Sequence, residues 1–323
     1  MTNKAPAAMA EPADFRGTVV RAGKYKFINP LILCDITQEK EAIPELDPVK
    51  NALQEEVDKE TQSFKVESIS VYLHLLNSAR WTGVNENRKF SPASLLKVNI
   101  MIAYLKLAET SPELMNQKIV YDGSFNYDET VEIKNSHPLK PNASYTVAEL
   151  LDNMILYSGN NARFLLKRNL YGKDQNFLNQ VYEDLILPDP TGVGNDYMSP
   201  KQYANVFRAL YNGTYLTKHD SEAALALLVN SEFRDGLIAG VPAGLTVAHK
   251  FGEREVVDEE GVAETNEFHD CGIVYYPDHP YFLCVMTKGK NFSDLQSVVR
   301  DISAVSYKEI SRFFMDIKAQ PTK

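Results

Sequence analysis

The sequence predicts an α/β (α+β) fold, a sheet flanked by helices and joined to an all-helical lobe. The order of elements predicts it: a helix and two strands, then a mostly helical block from Ser91 to about Gly240, then three strands and a long closing helix. Size agrees, since 323 residues that are 44% hydrophobic can bury a large core, as one domain with two lobes or as two small domains. The expected division is a tail or strap over 1–45 and a domain over 46–323. Its α/β lobe takes 46–90 and 241–323, and its helical lobe takes 91–240.

The elements follow in order. Met1 to about Gly17 is rich in Ala and Pro and lacks the apolar core of a signal peptide. Phe27 to Asp35 is expected to pack as an extended strap. A helix from Asp47 to Phe64 is polar on most faces. Strands follow at Ile69 to Leu76 and around Trp81. Ser91 is the expected N-cap of the next helix and Pro92 its first residue, where a missing N–H costs nothing. That helix, to Leu107, is apolar on nearly every side and so belongs at the centre of a domain. Thr146 and Glu149 form a capping box for another, with Leu150, Leu151, Met154 and Ile155 as its apolar stripe. Leu245 to His249 reads as a strand, and Ser293 to Ile317 as the closing helix.

Ser94 and Lys97 stand three apart and share a helix face, so the amine can reach the hydroxyl and take its proton. Burial in so apolar a helix would lower the lysine's pKa toward that of a usable base. The alternative is a lysine that snorkels to water. The backbone N–H of Ser94, free at a helix start, suits an oxyanion on the attacked carbonyl. Two further patterns accompany this pair. Ser158-Gly159-Asn160 closes the capped helix in a tight turn, and Lys250-Phe251-Gly252 follows the Leu245–His249 strand. Gly252 would let a substrate backbone approach the strand edge. Taken alone, Asn160 is more often a turn former and Lys250 a surface charge.

S-x-x-K, S-x-N and K-x-G in this order resemble the penicillin-recognising serine enzymes, and the element order from about Phe64 onward is similar to class A β-lactamases. The resemblance implies a β-lactamase/transpeptidase-like fold with a five-stranded antiparallel sheet. It implies Ser94 as nucleophile, Lys97 as general base and Ser158 as proton relay to the leaving nitrogen. Asn160 would hydrogen-bond Lys97 and the substrate amide, while Lys250 would supply positive potential and help keep Lys97 neutral. The backbone N–H of Glu253 would be the second oxyanion donor, its side-chain identity mattering little. A second S-x-N, Ser124-Phe125-Asn126, has no helix before it and lies too near the nucleophile.

Two departures bear on activity. Phe251 replaces the hydroxyl residue that contacts a substrate carboxylate in the family, and losing a bond to a charged group costs about 1.5–3 kcal/mol. Arg254 is a candidate replacement donor. No E-x-x-L-N segment, which carries the family's deacylating glutamate, lies between Asn161 and Ser199. Asp189 and Asp196 are substitutes on paper, although both fit turn formation. The expected outcome is a serine hydrolase that forms an acyl-enzyme with β-lactams or D-alanyl peptides and deacylates slowly. The alternatives are a D,D-carboxypeptidase or transpeptidase-type penicillin-binding protein, a catalytically degenerate binding protein, and an esterase or amidase.

The remaining features exclude more than they assign. A net charge of −9 without a basic run gives no footprint for nucleic acid. The acid-rich stretch from Glu253 to Asp270 reads as an exposed hairpin. Cys34, Cys271 and Cys284 have no metal-ligand spacing, and the six histidines form no H-E-x-x-H. Cys271 and Cys284 are expected as buried thiols on adjacent strands, a bridge remaining open. No metal or other cofactor is expected, and the partner is a small-molecule or peptidoglycan-peptide substrate. No 18-residue apolar run is present, so a membrane would be met only through an N-terminal anchor removed from this chain. The family resemblance implies an extracytoplasmic location, the export segment being absent.

Overall fold

The computed structural model describes residues 25–30, 44–63, 65–189, 196–257 and 263–319. The expectations for Met1 to Gly17, for the strap beyond Pro30 with Cys34, and for Phe64 lie outside the described residues.

Helix α1 (Asp47–Gln62) has proline in its first turn and buries Val49, Leu53 and Val57, one face at four-residue spacing. Strands β1 (Val66–Leu75) and β2 (Trp81–Val84) follow, then α2 (Lys97–Ala108). A two-stranded ribbon of β3 (Lys118–Tyr121) and β4 (Ala143–Thr146) leads into α3 (Val147–Leu156) and α4 (Asn160–Lys173). Helices α5 (Phe177–Asp184), α6 (Pro200–Asn212) and α7 (Lys218–Val229) complete the helical block. Strands β5 (Val247–Val257), β6 (Ala263–Val274) and β7 (Tyr281–Gly289) precede α8 (Phe292–Ala319). The ribbon is an addition to the elements read from sequence.

The five-stranded sheet runs β2-β1-β7-β6-β5 with every pair antiparallel, as expected. Its strands are buried on both faces. Alternate residues point to opposite sides: Val71 and Leu73 join Phe251, Phe268 and Val298 in the core beneath α1 and α8. Tyr72, Ala248 and Ile273 join α2 and the helical lobe in the other core. Strand β5 lies at the sheet edge nearest the start of α2.

Three local expectations change. Ser91 is not the cap of α2. Ala93–Leu96 forms a short 3-10 turn, Ala93 has φ +47°, and the regular helix begins at Lys97. The reason is tertiary: the ring of His269 takes the Ser91 carbonyl (2.9 Å), and Leu95 N–H closes on Pro92 instead (3.0 Å). Cys271 and Cys284, paired across β6 and β7, are disulfide-bonded and not free thiols. The acid-rich stretch is no exposed hairpin throughout, because Glu253, Glu267 and Asp270 are buried on β5 and β6.

Residues 25–30 dock on the helical lobe. The N–H groups of Lys26, Phe27 and Ile28 all donate to the Glu222 carboxylate on α7, at 2.6 to 3.0 Å. Buried Asn29 donates its N–H to Tyr211 O (2.7 Å) and its amide to Asn212 Oδ1 (3.0 Å) on α6.

Candidate active site

A cleft of about 430 Å³ opens where the 3-10 turn, the Ser158 loop and β5 converge, with Ser94, Asn160, Arg163, Tyr197 and Glu253 on its walls. Ser94 is half-buried there and makes no side-chain hydrogen bond among the described residues. One turn on, Lys97 is fully buried; its Nζ donates to Ser158 O (2.5 Å) and to Ser158 Oγ (3.0 Å). Lys250, equally buried, reaches the same Oγ from β5 at 2.9 Å and donates to Phe251 O at 2.8 Å.

Two ammonium groups around one hydroxyl cannot both hold their protons easily. Burial drives the Lys97 pKa well below the ordinary lysine value, and the charges of Lys250 and Arg163 push it further; Asp128 and Glu253 oppose them. Burial likewise brings Lys250 down to about 7, with Asp270 and Glu253 opposing. A neutral amine at Lys97 has a free lone pair, which is what a base needs.

The Ser158 loop is built by its surroundings. Ser158 has φ +56°, and a Cβ on Gly159 would stand 2.0 Å from Asn153 Oδ1. Buried Asp128 accepts the N–H groups of Asn160 (2.5 Å) and Asn161 (3.2 Å), capping α4 from a distant segment. The capping box expected before this loop is present: Glu149 N–H donates to Thr146 Oγ1 at 3.2 Å. On the nucleophile side, Tyr203 donates to Leu95 O (2.9 Å) and holds the turn from below. His269 accepts from Thr287 N–H (3.2 Å) and donates to Ser91 O (2.9 Å); burial lowers its pKa to about 4, so the ring is neutral.

Gly252 brings β5 against the turn. A Cβ there would lie 3.0 Å from Pro92 O and 3.2 Å from the backbone nitrogens of Ser94 and Leu95. Only glycine leaves that space free for a carbonyl oxygen facing Ser94 N–H.

Ser94 and Glu253 thus line the cleft, Gly252 abuts the turn that carries Ser94, and Lys97 and Lys250 meet at Ser158 Oγ. The expected bond from the Lys97 amine to the Ser94 hydroxyl is not made, because both Lys97 bonds go to Ser158. Asn160 is near but differently engaged: its amide donates to Tyr127 O (3.3 Å), and it makes no bond to Lys97. Phe251 is not a cleft residue, since strand alternation turns its ring into the opposite core, 4.3 Å from the Phe233 ring. Glu253 is more than a backbone donor, because its carboxylate accepts Ile133 N–H at 2.9 and 3.2 Å. Burial raises its pKa. Neither Asp189 nor Asp196 lines the cleft, and Asp196 lies 4.0 Å from Lys288. The second S-x-N is structural: Ser124 bonds Asp122 (2.7 Å) and Asn126 receives the Asn161 amide (2.9 Å). Asp128, Arg163 and Tyr197 were missed, as no local pattern marks them.

The pattern that defines the beta-lactamase enzyme family matches residues 49–310. No curated protein sequence matches the chain. The fold is similar to that of a PBP-A mutant solved as an acyl-enzyme complex with penicillin G. The TM-score is 0.64 at 21% identity, over 81% of this chain and 97% of that one. It is also similar to a class A beta-lactamase from Bacteroides cellulosilyticus, with TM-score 0.67 and 17% identity over 82% and 99% of the two chains. A class A beta-lactamase from Mycobacterium abscessus gives TM-score 0.66 at 20% identity over 80% and 99%.

Proposed function

This chain belongs to the beta-lactamase enzyme family, and from that premise we propose that it is a serine hydrolase acylated at Ser94 by β-lactams or D-alanyl peptides. One observation carries the reading: one turn along from the Ser94 that lines the cleft, the Lys97 amine is fully buried and hydrogen-bonded to a Ser158 hydroxyl that Lys250 also holds. Neutral Lys97 accepts the proton of Ser94 Oγ as that oxygen attacks the substrate carbonyl. The oxyanion is received by the backbone N–H groups of Ser94 and Glu253. Ser158 passes the proton from Lys97 to the departing nitrogen, the C–N bond breaks, and an ester remains on Ser94.

Deacylation is slow in this reading. Glu253 is the carboxylate among the described residues lining the cleft, and its oxygens are engaged by Ile133 N–H. That favours a penicillin-binding protein of the D,D-peptidase type over an efficient β-lactamase. The buried disulfide supports an extracytoplasmic site of action.

Intact-mass analysis after incubation with a penicillin tests the proposal. The expected result is a gain of the whole drug mass on the wild type and none on Ser94→Ala. Turnover of a chromogenic cephalosporin is expected below about 10 per second, the middle of the ordinary enzyme range. An unmodified wild type at millimolar drug would remove the proposal.

A further inference from the structure

We propose that Arg163 makes this cleft selective for acyl donors that carry an additional carboxylate on the part of the substrate facing the helical lobe. The inference rests on the acyl-serine reading only for where the substrate lies.

Arg163 stands in the first turn of α4, half-buried on the cleft wall that also holds Asn160 and Tyr197. A cation there opposes the positive end of the helix dipole. Its charge also reaches the neighbouring groups: it adds to the burial that lowers the Lys97 pKa, and it opposes the burial that raises the Tyr197 phenol to about 12. Among the described residues Arg163 makes neither a side-chain hydrogen bond nor an ion pair. The nearby carboxylate of Asp128 is occupied, one oxygen by Asn160 and Asn161 N–H and the other by the amides of Asn135 and Asn161, both at 3.1 Å. The next arginine on the helix is satisfied in another way, since the Arg168 guanidinium lies 5.7 Å over the Phe164 ring.

A guanidinium held on the wall of this cleft against the helix dipole, with its donors unused, matches a ligand carboxylate in charge and in fork geometry. The bland alternative is that Arg163 serves only to keep Lys97 neutral. The two roles separate experimentally. A field on Lys97 acts equally on every substrate, whereas a docking contact discriminates between substrates that differ by one charge.

The experiment uses two penicillins of the same ring system and aromatic side chain, one with an added side-chain carboxylate. Their affinities are measured by calorimetry on Ser94→Ala and on Ser94→Ala combined with Arg163→Gln. Their acylation rates are measured by mass on the wild type, Arg163→Gln and Arg163→Lys. The dianionic penicillin is expected to bind and acylate about tenfold better, equivalent to about 1.4 kcal/mol. Arg163→Gln should bring that ratio to about one, and Arg163→Lys should retain part of it. An unchanged ratio in Arg163→Gln overturns the inference, as does a uniform slowing of both penicillins or binding of neither. If no penicillin acylates Ser94, the acyl-serine reading falls, and the binding ratio on Ser94→Ala still decides the role of Arg163.

Discussion

Ser158 Oγ has two lone pairs and one proton, and the two lysines take both lone pairs. Its proton is therefore left free for a third group, as a relay requires. Acylation should rise with pH through the lowered pKa of Lys97 and be near its plateau well before pH 10. A limb centred near the ordinary lysine value of 10.5 would contradict this. The same shifts act on stability. Folded Lys250 sheds its proton at about 7 while the unfolded chain holds one up to about 10.5. The fold therefore loses stability as pH falls through that window, with little further loss from this group below about 7. Lys250→Met should unfold at a higher temperature than wild type at pH 7, by about 1 kcal/mol or more, with the gap shrinking toward pH 10. Its acylation should fall at least about a hundredfold. Thermal melts across that range, with mass-based acylation rates, check both.

At the scale of elements, the nucleophile turn and the edge strand work as a pair. The convergence of Lys97, Ser158 and Lys250 was legible because each sits in a short pattern tied to a helix, a loop or a strand. The Asn160 contact and the Phe251 orientation were not legible. The first depends on Asp128 and Tyr127 from a distant segment, the second on strand parity. The cap at Ser91 failed for a similar reason, since a histidine from β6 claims its carbonyl. Gly252 gives the sharpest test at this level. Gly252→Ala puts a methyl against the Ser94 and Leu95 nitrogens, and acylation should drop by about a hundredfold, as for loss of an oxyanion donor. The melting temperature should move little; equal acylation rates would show that the oxyanion lies elsewhere.

Across the whole molecule, sheet and helical lobe meet at the cleft, while residues 25–30 tie α6 and α7 to Tyr275 beside β6. The hydrophobic pattern made the order of the main elements legible, because buried strands and capped helices are local signals, whereas the antiparallel five-stranded sheet was implied by the family resemblance. The disulfide was left open because strand adjacency without register does not decide it. The docking of residues 25–30 on Glu222 has no sequence signature, since it uses backbone N–H groups. Glu222→Ala removes the acceptor for three of them and should cost about 2 kcal/mol. A denaturant melt measures that loss, and penicillin acylation should stay within about twofold of wild type.

Acylation at Ser94 depends most on the charge state of one amine. Lysine side chains labelled with ¹³C at Cε can be titrated by NMR, with Lys97→Met and Lys250→Met assigning the two buried signals. The predicted result is a Lys97 signal titrating well below 10.5 and a Lys250 signal near 7. A Lys97 signal that stays protonated to pH 10 would contradict the mechanism, because no base would then stand beside Ser94.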